Sequence, residues 1–188
     1  MHPVVPTSVI VTGFEPFGGR GVNRSWQAVE RVTLRAGWQR VQLPVVYARI
    51  AEIVPALVGQ QPRAVLLVGE ADRQRLTLER VARNAADPAS ADNAGEQRAQ
   101  VHDGGTAELV ATWDLDRALS AARRIVAAEI SDDAGGYCCN AALYHALRSA
   151  GPGIRIGFVH VPRSRWPFGP RLSTLGRALD AIAGAMLE

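Results

Sequence analysis

Lysine is missing from this 188-residue chain, so all 21 of its basic residues are arginines. That absence removes the phosphate-binding loop signature GxxxxGK[ST], which needs a lysine. Cysteine is nearly as scarce, with only Cys138 and Cys139, and neighbours in sequence rarely bridge each other. A secreted fold stapled by disulfides is excluded, and a chain of this length buries a core without them. No apolar run reaches membrane length, and the opening MHPVVPTSVI lacks both the basic start and the long apolar core of a signal peptide. A cytoplasmic protein with no membrane partner is expected. There is no block of like charge either. The net charge is +3 and the pI about 9.4, with arginines spread along the chain and Asp and Glu interleaved. Without a recognisable binding motif, this excludes nucleic acid as a partner. Internal repeats and a dividing linker are also absent, so residues 1–188 read as a single domain.

What is present alternates between strand and helix patterns. Val9 to Thr12 is a short β-branched run ending at Gly13, and Ser25 is placed to cap a helix carrying Trp26, Val29, Val32 and Leu34. Val41 to Tyr47 reads as strand and Ile50 to Leu57 as helix, with Pro55 shortening or kinking it. Ala64 to Gly69 is a continuous apolar run, and Leu76 to Ala82 alternates like a half-exposed strand. Asn84 to Gly105, rich in Asp, Asn, Gly, Pro and Ala, predicts a long functional or mobile loop. Glu108 to Trp113 follows as strand, Leu115 to Ala128 as helix, Ile154 to Val161 as strand and Arg171 to Leu187 as helix. Such alternation predicts an α/β sandwich with a largely parallel sheet covered on both faces. Ligands bind such sheets outside the carboxyl ends of the strands, which directs attention to Gly13–Asn23, Gly69–Arg75 and His160–Pro162.

Chemistry concentrates in ISDDAGGYCCN, Ile130 to Asn140. It places the cysteines after a polar glycine turn and just before a helical pattern from Asn140 to Arg148. Unpaired N–H groups and the helix dipole favour an anion there, lowering a thiol pKa from about 8.5 towards neutrality. The alternative is a pair of small buried apolar residues. Among the histidines, His2 belongs to an expected disordered terminus and His102 to the polar loop. His145 stands about 120° round the helix from Cys139 and more than a turn along it, so it should not face the thiol. His160, closing the apolar strand IRIGFVHVP, is left as the candidate base, with a buried, backbone-satisfied histidine as the alternative. Glu79 in LTLERVARN could hold the imidazole, as the third member of a triad does. The loop GFEPFGG, Gly13 to Gly19, is neither GxGxxG nor a P-loop and carries an acid, Glu15. Phe14 and Phe17 fit an apolar pocket there, or core packing.

Taken in order, GFEPFGG with NRSW, LTLERVARN, the pair Asp92-Asn93, SDDAGGYCCN and GFVHVP resemble the pyroglutamyl peptidase I family, also called pyrrolidone-carboxylate peptidases. The resemblance runs from about Val11 to about Pro162. It implies a single three-layer α/β/α sandwich around a twisted, largely parallel sheet, commonly assembled as a homotetramer. It also implies a cytosolic cysteine exopeptidase that removes an N-terminal pyroglutamyl residue from peptides, without metal or cofactor. The implied catalytic residues are Glu79, Cys139 and His160, with the thiolate attacking the pyroglutamyl carbonyl and helix N–H groups receiving the oxyanion. Phe14 and Phe17 match the pocket phenylalanines expected to clamp the lactam ring, and Asn23 matches a loop asparagine that shapes the pocket.

Three positions depart from the family pattern. Glu70 stands where the family has Gln, in a slightly shorter turn; a carboxylate accepts the lactam N–H but cannot donate to its carbonyl. Ala89 replaces an arginine associated with transition-state support, leaving Arg73, Arg75 and Arg83 as candidate substitutes. Ala91 replaces a proline, which would loosen the long loop. Two other readings therefore stay open: a non-catalytic relative that binds pyroglutamyl-like ligands, and an amidase of altered acyl specificity.

Overall fold

The computed structural model describes residues 7–164 and 168–188. His2 lies outside the described residues. The elements follow as β1 (Val9–Phe14), α1 (Arg24–Val29), β2 (Trp38–Leu43), α2 (Tyr47–Val58), β3 (Ala64–Ala71), β4 (Leu76–Glu79) and β5 (Val81–Arg83). They continue as β6 (Glu108–Val110), α3 (Leu115–Arg123), β7 (Ala128–Ser131), α4 (Cys138–Ser149), β8 (Arg155–Pro162) and α5 (Leu172–Ala185).

The main sheet has the order β2-β1-β3-β8-β4-β7. β2, β1, β3 and β8 are parallel, while β4 runs against β8 and β7 is parallel to β4. β5 and β6 form a separate antiparallel pair. The sheet is mixed but mostly parallel, and strand alternation divides its side chains between two cores. Ile10, Val65, Leu67, Ile156 and Phe158 join residues of α2 and α4 on one face. Val9, Val11, Leu66, Val68, Leu78, Val159 and Val161 join residues of α1, α3 and α5 on the other. With both faces covered, this is the expected three-layer sandwich.

Several boundaries differ from the sequence pattern for identifiable reasons. β4 is buried along its whole length rather than half-exposed, because it lies between β8 and β7 with helices on both sides. The helix expected from Leu115 to Ala128 ends at Arg123, and Ala128 begins a strand paired with Leu76. Tyr47 belongs to α2 rather than a strand; Pro44 separates the two elements, and Pro55 sits inside the helix. Helix α1 is capped by Asn23, whose Oδ1 accepts from the Ser25 N–H at 2.9 Å, not by Ser25. Ser25 instead accepts from the Phe14 N–H at 2.9 Å, tying α1 to the end of β1. That helix ends at Val29, and Leu34 is exposed.

Candidate active site

The carboxyl ends of β1, β3 and β8 and the amino end of α4 surround one cavity of about 230 Å³. Phe14, Phe17, Asn23, Glu70, Cys139 and His160, six of the residues singled out in the sequence, line it. Glu79, the seventh, lies behind His160 with no exposed surface.

The register of β8 explains how the imidazole and the carboxylate meet. His160 pairs with Thr77 and Phe158 with Glu79 across the antiparallel ladder. Glu79 is thus the diagonal neighbour of His160 on one sheet face, within reach of a long side chain. His160 Nδ1 and Glu79 Oε1 stand 2.9 Å apart. Burial pushes the Glu79 carboxyl up, but the His160 hydrogen bond and charge, with hydrogen bonds from Ser131 and Thr77, together outweigh it and hold the group below its ordinary pKa.

On the other side, His160 pairs with Gly69 of β3. A Cβ on Gly69 would lie 2.7 Å from Cys139 Sγ, 2.9 Å from Phe158 Cζ and 3.0 Å from His160 Cδ2. The missing side chain is therefore what lets thiol and imidazole occupy the same corner. With Nδ1 on Glu79, it is the Cδ2 edge of the ring that comes nearest Gly69, and Cδ2 adjoins Nε2.

Cys138 and Cys139 occupy the first turn of α4 rather than preceding it. Cys138 is buried and Cys139 half-buried, and both thiols are free. Ala141 makes the first intrahelical bond, to Tyr137 O, and the N-cap Tyr137 offers no side-chain acceptor. The N–H groups of Cys138, Cys139 and Asn140 thus have no acceptor within the helix. The expected lowering of the thiol pKa does not occur. Burial, followed by the charges of Glu79 and Glu70, pushes Cys139 up to about 12, outweighing Arg73 and the residue's own backbone N–H.

The apolar wall differs in detail from the expected pair of rings. Phe14 is buried at the end of β1, whereas Phe17 is half-buried and packs on Tyr137 with ring centroids 5.8 Å apart. Tyr137 and Val45 complete the wall. Asn23 shapes the cavity from its cap position and donates to Glu15 O at 2.9 Å. Glu70 lines the cavity, but its carboxylate is already engaged. Oε2 accepts from the Arg24 N–H at 2.7 Å, while Oε1 faces Arg20 and, at 3.6 Å, Arg163. From the cavity wall it also braces α1 and Arg20, whose guanidinium stacks 4.4 Å over Phe17.

Ala89 is exposed in a turn held by Asp87 and contributes nothing to the cavity. Of the candidate substitutes, Arg75 pairs with Glu129, and Arg83 pairs with Glu108 and Asp133. Arg73 alone of the three reaches the cavity. The 84–105 loop is pinned rather than loose: Asp92 accepts from the Tyr47 N–H at 2.8 Å, and Ala91 O accepts from Tyr137 Oη at 2.9 Å. His145 faces His102, away from the thiol, with ring centroids 6.2 Å apart. Sequence pattern gives no reason to single out Asn140, yet its side chain binds Arg83 N, Arg83 O and Ala85 O at 2.8–2.9 Å, fixing the start of α4. Among the described residues no cluster of His, Cys, Asp and Glu is arranged to hold a metal.

Comparison with known proteins agrees with this geometry. The pyroglutamyl peptidase family model matches residues 7–165. A pyrrolidone-carboxylate peptidase of Thermococcus kodakarensis is 40% identical, covering 83% of this chain and 81% of its own. One from Clavibacter michiganensis is 39% identical, covering 97% and 93%. The crystal structure of pyroglutamyl peptidase I from Bacillus amyloliquefaciens superposes with a TM-score of 0.85 at 30% identity, covering 97% of this chain and 98% of that one. The pyrrolidone carboxyl peptidase of Thermus thermophilus gives 0.85, also at 30% identity, covering 94% and 98%. With a shared fold, a family match over most of its length and relatives near 40% identity, the chain belongs to the pyroglutamyl peptidase family.

Proposed function

We propose that this chain is a cysteine exopeptidase that removes an N-terminal pyroglutamyl residue from peptides, with Cys139 as nucleophile, His160 as base and Glu79 as its orienting carboxylate. The observation that carries the reading is the corner around Gly69. There sulfur and imidazole meet beside an apolar cavity while the other ring nitrogen is held by a buried glutamate.

Each step uses groups already in place. The Cys139 proton passes to His160 Nε2 as the sulfur attacks the pyroglutamyl carbonyl carbon. Glu79 stabilises the imidazolium, which is why a high resting thiol pKa is compatible with catalysis: the proton moves within the site rather than to solvent. The unpaired N–H groups at the start of α4 receive the oxyanion. Collapse breaks the C–N bond, His160 returns its proton to the leaving amine, and a thioester remains. Water, deprotonated by His160, then releases pyroglutamate and restores the thiol. No step calls for a metal or cofactor.

The walls match the acyl group. A lactam ring is compact and neutral, suited to Phe14, Phe17, Val45 and Tyr137. A free α-ammonium would require an available carboxylate, and Glu70 is already taken by arginines. A cytoplasmic homotetramer follows from the family resemblance. No described helix is long and apolar enough to cross a membrane.

The test is release of a fluorogenic amine from its pyroglutamyl amide. Release that stops after thiol alkylation is expected. Ligand-dependent thermal stabilisation without release would instead identify a non-catalytic binder, and release from other acyl amides in preference would identify an altered amidase.

A further inference from the structure

Arg73 is absorbed by none of the roles above, yet it sits at the centre of the polar contacts behind the reacting groups. Its Nη1 lies 2.7 Å from Thr77 Oγ1, 2.9 Å from Glu79 Oε1 and 3.0 Å from Ser131 Oγ, and its Nη2 donates to Asp133 O. Thr77 Oγ1 donates to the same Glu79 oxygen at 2.7 Å. His160 Nδ1, Arg73 and Thr77 therefore converge on Oε1, while Oε2 is buried with no hydrogen-bond partner among the described residues. A buried carboxylate normally divides its partners between both oxygens. Here three partners are committed to the one that faces the imidazole.

We infer that Arg73 is a positioning residue of the catalytic apparatus, fixing which oxygen Glu79 presents to His160 and balancing the carboxylates around Cys139. This rests on the peptidase reading above. The planar fork matters because it spans two targets at once, the Glu79 carboxylate and the Asp133 carbonyl, which a lysine point charge cannot do. The charge matters because the thiol corner is otherwise anionic. Glu79 faces it from β4 and Glu70 from β3, with Asp72 in the adjoining turn; His160 approaches from β8, and Arg163 lies beyond the end of that strand. Glu70 is largely offset by Arg20 and Arg163, whereas Glu79 has Arg73 as its guanidinium partner. The side chain of Arg73 is 25% exposed, enough for it to reach the cavity while remaining shielded from bulk water.

The experiment compares Arg73→Met, Arg73→Lys and, as a surface control, Arg75→Ala. Two quantities are read: kcat and KM on the fluorogenic amide, and the alkylation rate of Cys139 at pH 8, localised by fragment mass spectrometry. Arg73→Met should lower kcat roughly tenfold to a hundredfold with KM nearly unchanged. It should also slow alkylation about tenfold, the effect of one pKa unit on the thiolate fraction. Arg73→Lys should restore the alkylation rate but only part of kcat, since it keeps the charge and loses the fork. Arg75→Ala should change neither. A folded Arg73→Met with wild-type kcat and alkylation rate overturns the inference. If Arg73→Met fails to fold, wild-type kcat in Arg73→Lys overturns it instead. The alkylation rate is independent of turnover, so an unmodified chain that releases no amine removes the peptidase reading while leaving the charge effect of Arg73 measurable.

Discussion

At the scale of single residues, the two adjacent cysteines show how little sequence position decides. Both are in the first turn of one helix. Cys138 is turned into the core with 1% exposure, while Cys139 meets His160 beside Gly69. Cys139→Ala is expected to abolish amine release with the fold intact by circular dichroism. Cys138→Ala should keep most turnover and cost about 1 kcal/mol of stability in urea titrations, because it removes a small buried group. Glu70 carries the contrary lesson. Its place in the motif suggested a lactam contact; Glu70 alternates with Gly69 at the end of β3 and lines the cavity, and there the start of α1 and Arg20 meet its oxygens. Periodicity was readable; which partners lay there was not.

At the scale of elements, the active corner depends on register and on how α4 is docked. Gly69→Ala would place a methyl within 2.7–3.0 Å of sulfur, phenyl ring and imidazole together. The expected result is a fall in kcat/KM of about tenfold or more, since a small misplacement of reacting groups is costly. Thermal unfolding would check that the fold survives. Further along α4, His145 is buried against the long loop, and burial lowers its pKa to about 4. The folded state binds fewer protons than the unfolded one between that value and the ordinary 6.5. Its contribution is thus intact above about 6.5 and lost as pH falls towards 4, on the order of 3 kcal/mol. His145→Gln should flatten this loss, as read from urea midpoints at pH 7 and pH 4.5. An undiminished pH slope in that variant would assign the acid sensitivity elsewhere. The strand and helix runs, the long loop and the two-sided sheet were legible from periodicity. The reversal of β4 was not, because direction within a sheet is set by long-range pairing, and neither was β7, whose four residues merge with the preceding helical pattern.

For the whole molecule, a chain with no lysine manages its surface with arginine forks. Arg80 pairs with Asp132, Arg117 with Asp114 and Glu188, and Arg49 with Glu52. Each exposed pair contributes little, so salt should change stability only slightly. Assembly is the larger question at this scale. Sedimentation equilibrium is expected to give a mass several times the 20.1 kDa of one chain, and a monomer at micromolar concentration would remove the tetramer from the proposal. The division of labour between sheet and helix has one more consequence. Proton acceptor and acidic partner are rungs of one antiparallel ladder, β8 with β4, while the sulfur arrives on a separately anchored cylinder. The attacking atom is consequently a replaceable part. A hydroxyl or selenol installed at that one position would meet the same preset imidazole, turning the scaffold into a side-by-side comparison of nucleophiles.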